Sequence, residues 1–135
     1  MSDLNEICAG VVKQVDDALG FAVVDLESGL LLGVHHEVPY FTQSYLDAVA
    51  AAAVDMFRGK TVQNVEELLT KQRGKDSYKL IQEVQMSTEG TYHFMKILPD
   101  KNNVLVVLIT GRRANLGTGW TAVRKAVDEI TPAVP

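Results

Sequence analysis

The chain has 135 residues, of which 47% are hydrophobic and 22% are charged, and its formal net charge at pH 7 is −4. A chain of this length fills one compact domain that buries roughly two-thirds of its unfolded surface. The composition lies near the globular average, which excludes the disordered, collagen-like and solenoid classes. We therefore expect one domain over residues 1–135.

Neither a membrane span nor a secretion signal is expected. The longest apolar stretches, such as Val104–Ile109, are far shorter than the ~20 residues that a membrane-spanning helix needs. The residues after Met1 lack the basic segment of a signal peptide. The single cysteine, Cys8, can form neither an intramolecular disulfide nor a metal cluster, which fits a reducing compartment. We expect a cytoplasmic protein without membrane insertion.

Charge is distributed unevenly along the chain. Residues 1–57 carry nine Asp and Glu against one Lys, whereas residues 58–135 carry twelve Lys and Arg against eight acids. The pI is ≈ 5.3, and no dense basic stripe is interleaved with aromatic residues, so nucleic acid is a poor candidate partner. The uneven charge favours a protein partner instead.

The first predicted elements are a helix and a β-hairpin. Asp3 and Glu6 resemble a capping box. Apolar residues then recur at the spacing of one helix face, at Leu4, Ile7, Cys8, Val11, Val12 and Val15. Two short apolar strands follow, Phe21–Leu26 and Leu30–Val34, and Gly29 between them supplies the positive φ that a tight hairpin demands.

A long helix is predicted from Tyr40 to Phe57, after Pro39 ends the hairpin. Its apolar side chains surround the helix instead of keeping to one stripe, and residue 48 and residues 50–53 are all alanine. A helix that is apolar nearly all round must be covered on more than one side. The sheet covers one side, and either a partner or the rest of this chain covers the other.

The middle of the chain predicts a short helix, a loop and three strands. A helical continuation is indicated by Val62, Val65, Leu68 and Leu69. The polar run Lys71–Ser77 predicts an exposed loop. Strands are predicted at Tyr78–Met86 and Thr91–Leu98. Val104–Ile109 lacks polar alternation, so we expect a central strand that is covered on both faces.

A last amphipathic helix is predicted with Asn115 as its N-cap and Pro132 beyond its end. The element order is therefore α-β-β-α-β-β-β-α. Hairpin-like connections and one long helical crossover predict an α+β fold, with a five-stranded, mostly antiparallel sheet that is flanked by helices on both faces.

The sequence contains no convincing catalytic constellation. His35, His36 and Glu37 are metal-ligand residue types, but adjacent strand residues point to opposite faces, so both imidazoles cannot easily bind one ion. We interpret them as surface residues that close a strand. His93 has no partner at a fixed spacing, and we interpret it as a sheet-surface histidine. Cys8 lies on an apolar helix stripe, where a buried, inert thiol is expected.

The glycine-rich segment Gly111–Gly119 matches neither the Walker pattern nor the dinucleotide pattern of phosphate loops. We expect Gly117 and Gly119 to let the last helix approach the sheet closely instead.

Several segments together resemble the Roadblock/LC7 family over residues 3–130. They are the opening helix, the hairpin GFAVVDLESGLLLG, the alanine-rich helix, three strands ending in NNVLVVLIT, and the closing ANLGTGWTAVRKAVDEI. The most specific parts are Val23–Gly29 and Asn115–Gly117. The resemblance implies a five-stranded antiparallel sheet between helices, related to the profilin and longin folds. The His35–Glu37 segment and Gly119-Trp120 depart from the family pattern.

The resemblance also implies a homodimer or heterodimer in which the central helices pack together and edge strands join the two sheets. In this sequence these elements are Phe41–Phe57 and Tyr78–Met86. The interface residues that this arrangement implies are Tyr45, Val49, Ala52, Ala53, Met56, Tyr78, Leu80, Gln82 and Val84.

Family members act as non-catalytic platforms, and some regulate small Ras-like GTPases. The resemblance thus implies a regulatory or scaffold protein that binds such a GTPase, without catalytic residues, cofactor or metal. Candidate partner-binding residues are Arg112, Arg113 and Arg124, and Arg112 or Arg113 could also act as an arginine finger supplied to the GTPase.

Two other classes of function stay open at this point. Related folds can open a pocket between sheet and helices, so a small-molecule-sensing module is the first alternative. A metal-dependent enzyme that uses His35, His36 or His93 is the second.

Overall fold

The computed structural model describes residues 3–73 and 81–135. The helices are α1 (Leu4–Gln14), α2 (Gln43–Arg58), α3 (Lys60–Arg73) and α4 (Leu116–Ile130), and a 3-10 turn follows at Thr131–Ala133. The strands are β1 (Ala18–Asp25), β2 (Leu31–His36), β3 (Glu83–Ser87), β4 (Thr91–Leu98) and β5 (Lys101–Gly111). The predicted α+β class is confirmed, and the helical crossover consists of two helices.

The five strands form one antiparallel sheet in the order β2-β1-β5-β4-β3. The central strand β5 pairs with β1 and β4, and residues 104–110 are all buried. This burial on both faces explains why Val104–Ile109 is continuously apolar. Helices α2 and α3 carry the chain from the β2 edge of the sheet to the β3 edge.

Helices cover both faces of the sheet, as predicted. On one face, α1 and α4 share a buried cluster with Phe21, Phe94 and Leu108. On the other face, α2 shares a second cluster with Val24 and Leu105. Burying each such large apolar side chain contributes about 1.5–3 kcal/mol, so these two layers supply most of the driving force for folding.

Three helices begin at the side-chain caps that their sequences favour. Asp3, Thr42 and Asn115 accept hydrogen bonds from backbone N–H groups two or three residues further on, at 3.0, 3.2 and 3.0 Å. Each cap satisfies a backbone donor that has no partner inside the helix. The cap at Thr42 also explains why α2 begins at Gln43 and not at the predicted Tyr40.

The hairpin lies where it was predicted, although both strands are longer. β1 begins at Ala18 and β2 ends at His36. Gly29 has a φ of 77°, which confirms the need for glycine in this turn. The Asp25 carboxylate closes the turn by accepting hydrogen bonds from the Glu27 N–H and the Ser28 hydroxyl.

The third strand differs from its prediction. β3 spans Glu83–Ser87, so Ile81 and Gln82 lie outside the strand, and residues 78–80 of the predicted strand are not among the described residues. The Ile81 N–H donates to Glu66 Oε2 at 3.2 Å. The backbone here is thus held by α3, which explains why the strand begins later than its apolar pattern suggests.

Helix α3 confirms the predicted helical continuation but corrects the loop after it. The helix reaches Arg73, so the first three residues of the predicted loop Lys71–Ser77 are helical, and residues 74–77 lie outside the described part of the chain. Lys71 Nζ lies 3.6 Å from Glu67 Oε1, one turn earlier. Such a pair stabilises the end of a helix by about 0.2–0.5 kcal/mol.

The orientation of α3 is unusual. Glu66 and Thr70 are buried, whereas Val65, Leu68 and Leu69 are exposed. Helical spacing alone therefore identified the helix but not the face that it presents to the protein.

Within residues 3–73 and 81–135, no helix combines the length and apolar character needed to cross a bilayer.

Candidate partner-binding surfaces

A groove lies beside α2 on one face of the sheet. Leu46, Ala50 and Phe57 anchor α2 in its core cluster, and a neighbouring side of the helix borders a cavity of about 70 Å³. We call this cavity the α2 groove. It is lined by Val49, Ala52, Ala53, Met56, Met86, His93, Met95 and Val107. Its walls are thus one side of α2 and the part of the sheet nearest the β3 edge.

His93 is buried, which corrects the prediction of a sheet-surface histidine. Its side chain lines the α2 groove, the residue is 8% exposed, and its Nε2 lies 2.9 Å from the Thr91 hydroxyl. Burial lowers its pKa below the ordinary value of 6.5, because the charged imidazolium would lose its hydration. Strand alternation predicts which residues share a face, but it does not reveal that α2 and β3 flank this position.

The structure brings several predicted interface residues to this groove. Val49, Ala52, Ala53 and Met56 line it. Ala53 is only 1% exposed, so it belongs to the core of this chain. The other predicted interface residues do not line the groove. Tyr45 is 38% exposed and stacks on Phe41, Val84 is half-buried on β3, and Gln82 is exposed just before β3. Tyr78 and Leu80 lie outside the described residues.

Strand β3 lies at the edge of the sheet and is hydrogen-bonded to β4 on one side. The backbone N–H and C=O groups on the outer side of an edge strand can pair with another strand. The predicted edge position is confirmed for the described strand, Glu83–Ser87. The edge and the α2 groove lie next to each other, since Met86 of β3 lines the groove.

The three candidate arginines contact different partners. Arg112 Cζ lies 4.7 Å from the centre of the Tyr92 ring, and Arg124 Cζ lies 5.4 Å from the centre of the Trp120 ring. The Arg113 backbone N–H instead donates to Asp17 Oδ2 at 3.0 Å, near the start of β1. The sequence identified the arginines, but the aromatic partners that separate Arg112 and Arg124 from Arg113 were missed.

The glycines at the start of α4 have different roles. A Cβ atom on Gly119 would lie 2.5 Å from Phe94 Cζ, so the predicted close approach of helix and sheet is confirmed at this position. Gly117 is exposed, and a Cβ atom there would meet only Asn115 Oδ1, at 3.2 Å. The predicted packing role is therefore wrong for Gly117, because it lies on the solvent side of the helix.

The candidate metal ligands do not form a group of three in the described part of the chain. The His36 ring packs 5.5 Å from Phe41, whereas His35 Nε2 lies 3.6 Å from Glu37 Oε1. Among the described residues, no three His, Cys, Asp or Glu side chains are grouped closely enough to hold a metal ion.

Cys8 is fully buried, as predicted, and burial raises the pKa of its thiol to about 12.

The cavities between the sheet and α2 are small. A second apolar cavity, lined by Phe21, Leu46 and Val107 among others, measures about 20 Å³, whereas ligand pockets measure ~300–1,000 Å³. A larger space of about 330 Å³ lies at the hairpin end of the sheet, where Asp25 and Lys101 are among the residues that line it. It does not lie between the sheet and α2, so the sensing alternative gains no support from these two cavities.

The antiparallel sheet with α1 and α4 on one face and α2 on the other is shared with solved Roadblock/LC7 structures. A Roadblock/LC7 domain from Streptomyces avermitilis is similar over 98% of both chains, at 18% identity and a TM-score of 0.71. Myxococcus xanthus MglB is similar over 97% of this chain and 86% of that chain, at 19% identity and a TM-score of 0.72.

MglB from Thermus thermophilus is similar over 94% of this chain and 87% of that chain, at 17% identity and a TM-score of 0.65. No protein-family model matches the sequence, and no curated protein matches it either. At these identities the likeness establishes the fold, and the predicted resemblance is confirmed at that level.

Proposed function

We propose that this chain is a cytoplasmic, non-catalytic regulatory or scaffold protein, a single domain that forms a homodimer and binds a small Ras-like GTPase. The observation that carries the proposal is the α2 groove, which is mostly apolar and lies beside β3, the edge strand of the described sheet. The sequence resemblance and the structural likeness to MglB support the same function. One related structure is described as MglB with a tetrameric arrangement, which favours self-association of this fold.

The groove suits a second copy of α2. Val49, Ala52 and Met56 present short or flexible side chains along one side of the helix. Small side chains allow two helices to approach closely, and typical distances between helix axes are about 8–10 Å. A partner helix in this position would cover the groove side of α2 and exclude water from the half-buried Met86.

The β3 edge gives the same dimer a second contact. Antiparallel pairing of β3 with its symmetry mate would join two five-stranded sheets about a two-fold axis. Stable interfaces bury about 800 Å² per partner. One side of a 16-residue helix, which is ~24 Å long, offers too little area alone, so the edge strand is needed as well.

The dimer is tested by Ala52→Glu with Ala51→Glu as its matched control. Both alanines are exposed on α2, but Ala51 points about 100° away from Ala52 around the helix axis. A carboxylate at position 52 would be buried without a partner, so we expect at least ~100-fold weaker dimerisation by sedimentation equilibrium. Ala51→Glu should leave the dimer intact. A monomeric wild-type protein, or equal behaviour of both variants, would contradict the proposed interface.

Ala53→Glu does not test the interface. Ala53 is 1% exposed within this chain, so a carboxylate there would disturb the fold even in a monomer. We expect this variant to show a large loss of thermal stability at any protein concentration.

GTPase binding is tested by capture from a lysate of the source organism. Immobilised dimer is incubated with lysate that contains either a non-hydrolysable GTP analogue or GDP, and bound proteins are identified by mass spectrometry. We expect a Ras-like GTPase in one nucleotide state. If it is recovered, hydrolysis rates with and without this protein, and with Arg112→Ala and Arg113→Ala, test the arginine-finger hypothesis. If no GTPase is recovered in either nucleotide state, the proposed regulatory function is contradicted. The proposal of a dimer, which has its own test, would still stand.

A further inference from the structure

A row of aromatic side chains on the α4 face of the sheet carries an arginine at each end. The ring centre of Phe94 lies 6.3 Å from that of Tyr92 and 5.4 Å from that of Trp120. The Arg112 guanidinium lies over the Tyr92 ring and the Arg124 guanidinium lies over the Trp120 ring. We call these five residues the Arg–aromatic surface. Phe94 is fully buried, so Tyr92 and Trp120 stand on a rigid base.

The two arginines keep free hydrogen-bonding capacity. Arg112 Nη1 donates to the Thr88 carbonyl at 2.7 Å, and a guanidinium has five N–H donors. Contact with a ring restricts the position of a guanidinium and leaves N–H donors for a planar acceptor such as a carboxylate. Both side chains are therefore oriented before any partner arrives.

Among the described residues, this surface and its ion-pair partners carry three cations, Arg112, Arg124 and Lys96, and one acid, Glu83, although the whole chain is negative. Glu83 is the acid paired with this surface, and it is shared between two cations: its Oε2 lies 3.1 Å from Lys96 Nζ, and its Oε1 lies 3.6 Å from Arg124 Nη2. The Lys96 side chain is 18% exposed and that of Arg124 is 57% exposed. Lys96 therefore neutralises Glu83, and Arg124 keeps most of its charge available to a partner.

We infer that the Arg–aromatic surface binds an acidic segment of a partner protein, with one carboxylate at each arginine. The surface lies on the opposite face of the sheet from the α2 groove, so the inference does not depend on the proposed dimer or on GTPase binding. The chain of ring contacts limits the separation of the two guanidinium groups to roughly 22 Å, which about six or seven extended residues span at ~3.3 Å each.

A protein segment fits this surface better than a nucleic acid does. Two arginines provide two anion contacts, and the chain has a net charge of −4, which repels a polyanion as a whole. A short segment with two separated carboxylates matches both positions without bringing a dense negative charge close to the rest of the protein.

Trp120 makes the inference directly testable, because it is the single tryptophan of the chain. Its emission is recorded while the full-length protein is titrated with a set of octapeptides that carry Asp or Glu at both ends and Ala, Leu or Ser between. Matched peptides carry Asn or Gln in place of the acids. We expect saturable changes in emission with the acidic peptides, at least about tenfold weaker binding of the amide peptides, and weaker binding as salt increases.

The variants separate a specific site from general attraction. Arg112→Gln and Arg124→Gln should each weaken binding at least about tenfold by calorimetry, whereas Lys125→Gln, an exposed cation beside Arg124, should change it less than twofold. Circular dichroism and thermal melts verify that each variant is folded. No saturable emission change with any acidic peptide, equal binding of the amide peptides, an equal effect of Lys125→Gln, or tighter binding of a single-stranded oligonucleotide would each overturn the inference.

Discussion

Gly119 of α4 lies directly against the ring of Phe94 of β4. A Cβ atom at position 119 would lie 2.5, 2.7 and 2.9 Å from Phe94 Cζ, Cε2 and Cε1. The ring has no room to move, because it is fully buried and packs against Tyr92 and Trp120. The spacing of helix and sheet on this face therefore depends on the absence of one side chain.

Gly119→Ala should destabilise the protein. Alanine favours helix by up to ~1 kcal/mol over glycine, but the steric overlap with Phe94 costs about 1–3 kcal/mol, so we expect a net loss of about 1–2 kcal/mol in urea denaturation. Gly10→Ala is the control, since Gly10 lies in α1 and a Cβ atom there meets nothing within 4 Å. It should raise stability by about 0.5–1 kcal/mol. Equal effects of the two substitutions would show that Gly119 is not a packing residue.

Asp17 connects the start of β1 to the loop after β5. It has a φ of 65°, its Oδ2 accepts a hydrogen bond from the Arg113 N–H, and its carbonyl accepts one from the Gly111 N–H. Asp17→Ala should cost about 1–3 kcal/mol, because alanine is strained at this φ and loses the acceptor for Arg113. Asp17→Asn tolerates the φ and keeps an oxygen acceptor, so its free energy of unfolding should stay within about 0.5 kcal/mol of wild type. Equal free energies of unfolding for the two variants would contradict a stabilising role of the Asp17 side-chain oxygen that accepts from the Arg113 N–H.

Local signals in the sequence were sufficient for most of the fold. The caps Asp3 and Asn115, the turn at Gly29 and the apolar run Val104–Ile109 each determine their structure within a few residues. The start of β3 and the orientation of α3 were not predictable in this way. The Ile81 backbone contacts the carboxylate of Glu66 across a separation of 15 residues, and α3 buries the polar residues Glu66 and Thr70 where its apolar spacing suggests the opposite face.

The candidate surfaces were only partly predictable for the same reason. The family resemblance pointed to Val49 and Ala52 on the alanine-rich helix, and the arginines were evident as charges in a loop and a helix. Strand alternation puts Tyr92 and Phe94 on one face of β4 and His93 on the other. It does not show that Trp120 continues the aromatic row or that α2 covers the histidine. Those relationships arise from the packing of elements that are distant in sequence.

Cys8 should be unreactive in the folded protein. The residue is 0% exposed and burial raises the pKa of its thiol to about 12, and the thiolate is the reactive form. At pH 8 we expect reaction with Ellman's reagent to follow global unfolding, with a rate that rises in urea in parallel with loss of helical signal. Because Cys8 is the single cysteine, the total reaction in denaturant should be one thiol per chain. Rapid reaction in native buffer would mean that α1 opens locally.

His93 should make stability depend on pH. Its pKa in the folded state lies below the ordinary value of 6.5 because burial disfavours the cation. The unfolded chain therefore binds more protons than the folded protein once the pH falls below 6.5. The contribution of neutral His93 to the free energy of unfolding is fully present above that pH. It is lost as the pH decreases toward the pKa in the folded state, with a slope of at most about 1.4 kcal/mol per pH unit.

His93→Gln should remove this part of the pH dependence. Glutamine does not titrate and can still hydrogen-bond to the Thr91 hydroxyl, which His93 Nε2 contacts at 2.9 Å. We expect urea denaturation between pH 7.5 and 5.5 to give a smaller slope for this variant, even if its stability at pH 7.5 is lower. The other groups that line the α2 groove are apolar, so none of them supplies a compensating charge. An unchanged slope in His93→Gln would assign the pH dependence to groups elsewhere in the protein.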